Sequence, residues 1–133
     1  MDILTKNKGD TMGFDVIGRK AKSEKGKYFR NNVWFWRPLW TYVCNECDDI
    51  LTIKEAEGGT YNDGIKISKA KAERIAKRLK KRIEDGSVDL HKAGYDGTVE
   101  QIEDKWADKY PFVTQNVIEF AEFCEDSGGF EIW

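Results

Sequence analysis

The residues of this chain best suited to hold a metal ion are three cysteines and one histidine. Cys44 and Cys47 form a Cys-x-x-Cys pair, while His91 and Cys124 lie further along the chain. Three thiolates and one imidazole make up a common tetrahedral zinc site. However, no second close-spaced pair is present, and a cysteine within a helical pattern is typical of a core. We therefore predict no cofactor and keep zinc at these four residues as the weaker alternative.

Redox and acid–base catalysis have little support in the sequence. The Cys-x-x-Cys pair does not follow a strand, as it does in thioredoxin-like units. Carboxylates are abundant after residue 83, but their number alone does not place them together in a cleft. The chain also contains no Gly-x-Ser-x-Gly motif, phosphate-binding loop or Gly-x-Gly-x-x-Gly motif. We therefore name no catalytic residue and favour a protein that is not an enzyme.

An aromatic cluster between residues 33 and 42 is the most unusual feature of the sequence. It contains three tryptophans, one phenylalanine and one tyrosine. Exposed together, Trp34, Trp36, Arg37 and Trp40 would form a recognition surface, because Trp, Tyr and Arg dominate binding hot spots. Alternatively the rings form the core, with Arg37 over a ring face. We favour the core, because a small domain must bury such rings, and expect some of them to line a pocket.

A basic segment from Lys66 to Arg82 is the second candidate binding site. Arg74, Lys77, Arg78 and Lys81 lie here on a predicted helix, where they could contact a phosphate backbone. The alternative is a solvated helix face opposite the acidic C-terminal half. No aromatic residue is interleaved, and the isoelectric point near 5.5 is low for a nucleic-acid-binding domain. We therefore favour the solvated face.

Alternating apolar and polar residues predict strands near both ends of the chain. The two clearest segments are 13–17 and 129–133, and we expect them to pair in a small antiparallel sheet. The stretch 65–67 is a third, brief extended segment. Between these, 19–27 is rich in Lys, Ser and Gly and predicts a flexible loop, and the glycines of 58–64 predict a loop or tight turn.

Apolar residues at three- and four-residue spacing predict helices. Asn31–Asn32 can cap the first helix, and Pro38 suits its first turn. Ser68 and Thr114 are candidate caps further along, and Thr98 has the spacing of a capping box with Gln101. The four predicted helices run from about 38 to 52, 68 to 85, 98 to 110 and 114 to 127.

Length and composition place the chain in the class of single α+β domains. It has 133 residues, a hydrophobic content of 40% and a charged content of 35%. We expect one domain over 1–133, with about four helices packed on the small sheet formed by the N- and C-terminal strands. Because the sequence lacks a long apolar run and an apolar leader, and has three cysteines, we expect no membrane contact, reduced thiols and a cytoplasmic location.

Charge is segregated along the chain although the net charge is only −2. Basic residues dominate 1–37 and 66–83, and acidic residues dominate 38–65 and 84–133. Such blocks either pair with one another in the fold or present separate electrostatic faces to partners. The sequence leaves both arrangements open.

Two stretches resemble a group of uncharacterised proteins from bacteria and their phages. The first is Trp34-Phe-Trp-Arg-Pro-Leu-Trp40, preceded by Lys25-Gly-Lys-Tyr-Phe-Arg-Asn-Asn32. The second runs from Tyr110-Pro-Phe112 through Asn116-Val-Ile-Glu-Phe-Ala-Glu-Phe123 to Ser127-Gly-Gly-Phe-Glu-Ile132. The resemblance covers about half of the chain and brings no assigned activity. It implies a phage or prophage context.

The resemblance does not transfer a metal site. Some members of that group carry Cys-x-x-Cys pairs ahead of the Tyr-Pro-Phe stretch, which implies zinc there. This chain has no such pair between Gly86 and Tyr110.

Three hypotheses for function follow from the sequence. The first is a non-enzymatic accessory protein that binds another protein, such as a host component, through its acidic C-terminal half and exposed aromatic residues. The second is a nucleic-acid-binding protein that uses the basic helix of 66–82. The third is a small-molecule or enzymatic site lined by the Trp34–Trp40 cluster. The oligomeric state stays open.

Overall fold

A computed structural model describes residues 13–61, 63–100 and 111–133 of the chain. Within these ranges the polypeptide forms four strands and five α-helices. Side chains that alternate along the strands are buried on one face of the sheet and exposed on the other. The helices therefore pack on a single face, and the predicted α+β architecture is confirmed.

The strands form one antiparallel sheet with the order β2-β1-β4-β3. Val16 of β1 lies opposite Ile132 of β4, so the predicted pairing of the two terminal segments is confirmed. The four strands are β1 (Gly13–Gly18), β2 (Tyr28–Asn32), β3 (Ile65–Ile67) and β4 (Phe130–Ile132).

Strand β2 was not predicted from the sequence, because its alternation is weakly apolar. Phe29 and Asn31 are its inward residues, while Tyr28 and Arg30 are exposed. Asn31 is held by two amide hydrogen bonds with Asn116, at 3.2 and 2.8 Å. An inward asparagine breaks the apolar pattern on which strand prediction depends.

The segment 19–27, predicted as a loop, contains a short 3-10 helix at Glu24–Gly26. Its backbone is hydrogen-bonded to the chain around residue 127. The amide of Lys20 donates to the carbonyl of Ser127 at 2.9 Å, and that of Lys22 donates to Asp126 at 2.8 Å. These bonds attach the segment to the end of the last helix.

The helices differ from prediction mainly in the first half of the chain. The five helices are α1 (Val33–Glu46), α2 (Ile53–Thr60), α3 (Lys69–Glu84), α4 (Ser87–Glu100) and α5 (Thr114–Asp126).

No helix within the described ranges is both long and apolar enough to span a bilayer.

The prediction of one helix over 38–52 is wrong at both ends. α1 begins at Val33, where the side chain of Asn32 accepts a hydrogen bond from the Phe35 amide at 3.2 Å. Pro38 therefore lies inside the helix rather than in its first turn. At the other end, apolar spacing continues past Glu46 because the turn of 47–51 also buries Cys47, Ile50 and Leu51.

The prediction of a loop at Gly58–Gly59 is also wrong, because both glycines lie within α2. The helix begins at a capping box in which Glu55 donates its amide to Thr52 Oγ1 at 3.1 Å and Glu55 Oε1 accepts from the Thr52 amide at 2.9 Å. A Cβ on Gly59 would lie 2.4 Å from the Trp40 ring. These glycines therefore permit close packing rather than a turn.

Helices α3 and α5 lie close to their predicted positions. Ser68 caps α3 as predicted, accepting a hydrogen bond from the Lys71 amide at 3.2 Å. Thr114 is the first residue of α5 and not its cap, which is Val113. The Thr114 hydroxyl instead donates to Asp89 of α4 at 2.9 Å.

The predicted start of a helix at Thr98 is wrong. Thr98 lies inside α4, which begins at Ser87. The remainder of that prediction, residues 101–110, lies outside the described residues. Gly94 and Gly97 lie inside α4, where glycine lowers helix propensity, so the sequence does not indicate one continuous helix over Ser87–Glu100.

Candidate functional site

The structure divides the predicted aromatic cluster into a buried pair and an exposed pair. Trp36 and Trp40 are 0% and 2% exposed, so the prediction that the cluster belongs chiefly to the core is confirmed. Trp34 is 37% exposed, and Arg37 is also exposed. Positions 36 and 40 are one helical turn apart and thus share the inner face of α1.

The two buried tryptophans are fixed by stacking and by hydrogen bonds. Their rings stack with centroids 5.3 Å apart and an interplanar angle of 12°, and Trp36 also stacks with Phe14 at 5.3 Å. Both indole N–H groups donate to the backbone of α2, Trp36 to Gly59 and Trp40 to Ala56, each at 2.9 Å. Rings held at both face and edge have little freedom to change position.

A pocket of about 380 Å³ lies beside this pair, between α1, the end of α2 and α4. We call it the aromatic pocket. Trp36, Pro38 and Trp40 are buried and form its floor, whereas the residues at its rim are polar. Its lining residues are Trp36, Arg37, Pro38, Trp40, Thr41, Thr60, His91 and Tyr95.

The aromatic pocket contains three of the four residues predicted for this region. Trp36, Arg37 and Trp40 line it, and Trp34 does not. Thr41 was not predicted, although it lies four residues after Arg37 and hence on the same face of α1.

His91 lies in the pocket wall rather than at a metal site. Its ring packs against Tyr42 at 4.7 Å and against Phe112 at 4.6 Å. Removal from water lowers the pKa of His91 below its ordinary value, so the imidazole is neutral at neutral pH. His91 and Tyr95 are four residues apart on α4, a spacing that would have identified them together had the start of α4 been predicted correctly.

The cysteines and His91 do not assemble into a zinc site. Among the described residues, no three His, Cys, Asp or Glu side chains are placed so that they could hold a metal ion. All three cysteines are free thiols. Burial raises the pKa of Cys44 and of Cys47 to about 12 and raises that of Cys124 as well, so the thiols stay protonated at neutral pH.

The four predicted residues of the basic helix have separate environments. Arg78 binds both carboxylate oxygens of Asp49 at 2.9 Å, and Arg74 lies 3.9 Å from the same carboxylate. The hydrogen bonds from Arg78 are the chief reason that the pKa of Asp49 is lowered to about 2. Lys77 and Lys81 are exposed, beside the carboxylates of a mixed-charge surface.

The oppositely charged blocks of the sequence pair with one another across the fold. Cations of α3 contact carboxylates of α1, α2 and α5, and cations before β2 contact carboxylates near the C-terminal strand. The pairs that join distant segments include Arg19–Glu131, Lys25–Glu122, Lys71–Glu55, Lys80–Glu125 and Arg82–Glu46. Part of the charge that is segregated along the sequence is therefore paired in three dimensions.

Comparison with known proteins adds no family to this description. No family model, curated protein or solved structure matches the chain.

Proposed function

We propose that this protein binds a small organic molecule in the aromatic pocket. The observation that supports the proposal is the pocket itself, a concavity of about 380 Å³ with an apolar floor and a polar rim. Small-molecule sites are typically clefts of roughly 300–1,000 Å³ lined by apolar and aromatic side chains with a few polar groups. The volume and lining of the aromatic pocket agree with this description.

Several parts of the pocket are held in place by hydrogen bonds within the protein. Trp36 and Trp40 are held by hydrogen bonds to α2, and the Thr60 hydroxyl donates to Ala56 at 3.0 Å. A preformed site binds with a smaller loss of conformational entropy than one that must be ordered. This favours a binding role for the pocket over a passive packing defect.

The other two hypotheses have less support from the fold. An acidic surface that imitates nucleic acid needs unpaired carboxylates, and a phosphate-binding helix needs unpaired cations. Lys71, Arg78, Lys80 and Arg82 of α3 are paired with carboxylates of other segments, and one of those carboxylates, Glu125, belongs to the acidic C-terminal half. Arg78, for example, is committed to Asp49 through two hydrogen bonds.

The proposal can be tested with a fragment library and NMR spectra of the indole N–H groups. We expect some apolar fragments to shift the Trp36 and Trp40 signals, because these residues form the pocket floor. Trp133 serves as an internal reference, since its half-exposed ring lies outside the pocket and donates to Glu131 at 3.2 Å. Its signal should stay unchanged.

A substitution that fills the pocket provides the decisive comparison. Thr41→Trp places a large ring at the rim, and we expect it to abolish the fragment-induced shifts. Lys54→Trp is the matched control, because Lys54 is exposed on α2 and does not line the pocket. The proposal is wrong if no fragment shifts the floor signals of the unmodified protein, or if the shifts persist in Thr41→Trp.

A further inference from the structure

We infer that the ligand of the aromatic pocket is an organic anion, an apolar body carrying a carboxylate or phosphate group that pairs with Arg37. This inference rests on the proposed function and specifies its chemistry. It is carried by the charge of the pocket lining, by the pairing of other arginines in the fold, and by the geometry of the guanidinium group.

Arg37 supplies the formal charge of the pocket. Among the residues that the structure describes, no aspartate or glutamate lines it. His91 is neutral at neutral pH because desolvation lowers its pKa. The lining therefore combines one cation with the hydroxyl groups of Thr41 and Thr60 and an apolar floor, a composition complementary to an anion with an apolar body.

Arg37 also differs from other arginines of the fold. Arg30 pairs with Asp15 at 2.7 Å, and Arg82 pairs with Glu46 at 2.6 Å. Arg37 has no hydrogen bond or ion pair with any residue in the described part of the chain. Arg37, the cation among the described lining residues, is thus available to a ligand.

The geometry of arginine matches the proposed group. A guanidinium presents parallel N–H donors that bind two oxygens of a carboxylate or phosphate together. A ligand whose apolar part enters the pocket above its floor would bring its anionic group to the rim, where Arg37 lies. The pocket then holds both halves of one small molecule.

Three probes that share a naphthalene ring test the inference by isothermal titration calorimetry. They are naphthalene-2-carboxylate, 2-naphthyl phosphate and the neutral naphthalene-2-carboxamide. We expect at least one anion to bind more tightly than the carboxamide by about tenfold or more, the usual size of a charge-assisted hydrogen bond. The two anions distinguish a carboxylate site from a phosphate site.

Arg37→Gln should lower the affinity for the anion to about that for the carboxamide, which removes the preference for the anion. Arg37→Lys should retain part of the preference for the anion, because the positive charge stays but the paired N–H donors are lost. Lys66→Gln is the matched control, since it removes the same charge from an exposed residue of β3 outside the pocket. Thermal melts confirm that each variant is folded.

The outcomes separate this inference from the proposed function. If the carboxamide binds as tightly as both anions, or if Arg37→Gln keeps the preference, the ligand is not an anion held by Arg37, although the pocket still binds small molecules. If the probes and the whole fragment library fail to bind, both the inference and the proposed function are wrong.

Discussion

Among single residues, Gly59 has the clearest structural role outside the pocket lining. It lies in the last turn of α2, and the Trp40 ring occupies the space that a side chain would need. The carbonyl of Gly59 also accepts the hydrogen bond from the Trp36 indole. One small residue thereby brings α2 into contact with both tryptophans of the pocket floor.

We predict that Gly59→Ala destabilises the protein by about 1–3 kcal/mol, because the added methyl group overpacks a contact that is already closed. Alanine has a higher helix propensity than glycine, so helix propensity alone would predict a gain in stability rather than this loss. Urea denaturation measures the change in the free energy of unfolding.

Gly94→Ala is the control for this substitution. Gly94 lies within α4, and no described residue comes within 4 Å of an added Cβ. The higher helix propensity of alanine should therefore stabilise the protein by up to about 1 kcal/mol. Equal effects of the two substitutions would show that packing against Trp40 is not what selects glycine at residue 59.

The site was only partly predictable at this level. Trp36, Arg37 and Trp40 are neighbours in the sequence, so their proximity was evident and the burial of the rings followed from their size. His91 and Tyr95 reach the pocket from α4, and nothing in the sequence alone pairs that helix with α1. The roles of Gly58 and Gly59 depend on contacts with other segments, so the local sequence pattern does not predict them.

Between helices and strands, α3 is the element that connects the others. Its inner face is apolar, and its cations reach carboxylates on several neighbours. Lys71 contacts Glu55 of α2 at 2.7 Å, and Arg82 contacts Glu46 of α1 at 2.6 Å. The basic residues of this helix thus position the elements around it.

We predict that Arg78→Gln raises the pKa of Asp49 from about 2 towards its ordinary value of 3.8. The hydrogen bonds from Arg78 favour the ionised carboxylate, and their loss removes the largest cause of the shift. Arg74 remains nearby, so the recovery should be incomplete. An NMR titration of the Asp49 carboxyl carbon measures the value directly.

The ion pair between Arg78 and Asp49 also makes the stability of the fold depend on pH. Because the pKa of Asp49 is lowered in the folded state, its contribution is present above pH 3.8 and is lost as the pH falls towards 2. The stability difference between the unmodified protein and Arg78→Gln should narrow across that window. Lys77→Gln removes a neighbouring exposed cation, and a similar pKa rise in this control would assign the shift to net charge and not to the hydrogen bonds.

Element boundaries were harder to predict than element types. α3 has a good cap at Ser68 and an uninterrupted apolar stripe, and its limits were found nearly correctly. α1 and α2 were misplaced because buried residues of the intervening turn continue the helical spacing, and because two packing glycines resemble a turn. β2 was missed since an inward asparagine replaces an apolar residue.

For the fold as a whole, β4 is the strand that unites the sheet. It pairs with β1 on one side and with β3 on the other. Phe130 and Ile132 are both fully buried beneath the helices. The pairing of the two terminal segments was predictable because they carried the clearest alternation in the sequence.

We predict that Ile132→Ala lowers the free energy of unfolding by about 2–5 kcal/mol, the usual cost of truncating a buried aliphatic residue. Ile17→Ala is the matched control on the adjacent strand. Ile17 is 43% exposed on the outer face of the sheet, so its loss should cost less than about 1 kcal/mol. Chemical denaturation of both variants checks the difference, and similar losses would contradict the assignment of the two faces.

The central position of β4 also sets an order of events on the ribosome. β1 and β2 emerge early and can form a hairpin by themselves, but β3 has no strand neighbour in the described sheet until β4 appears. Until Phe130–Ile132 has left the ribosome, the edge of β1 that pairs with β4 therefore has no strand beside it. An unpaired strand edge can pair with another chain, so the interval before β4 emerges is a stage at which this chain is exposed to aggregation.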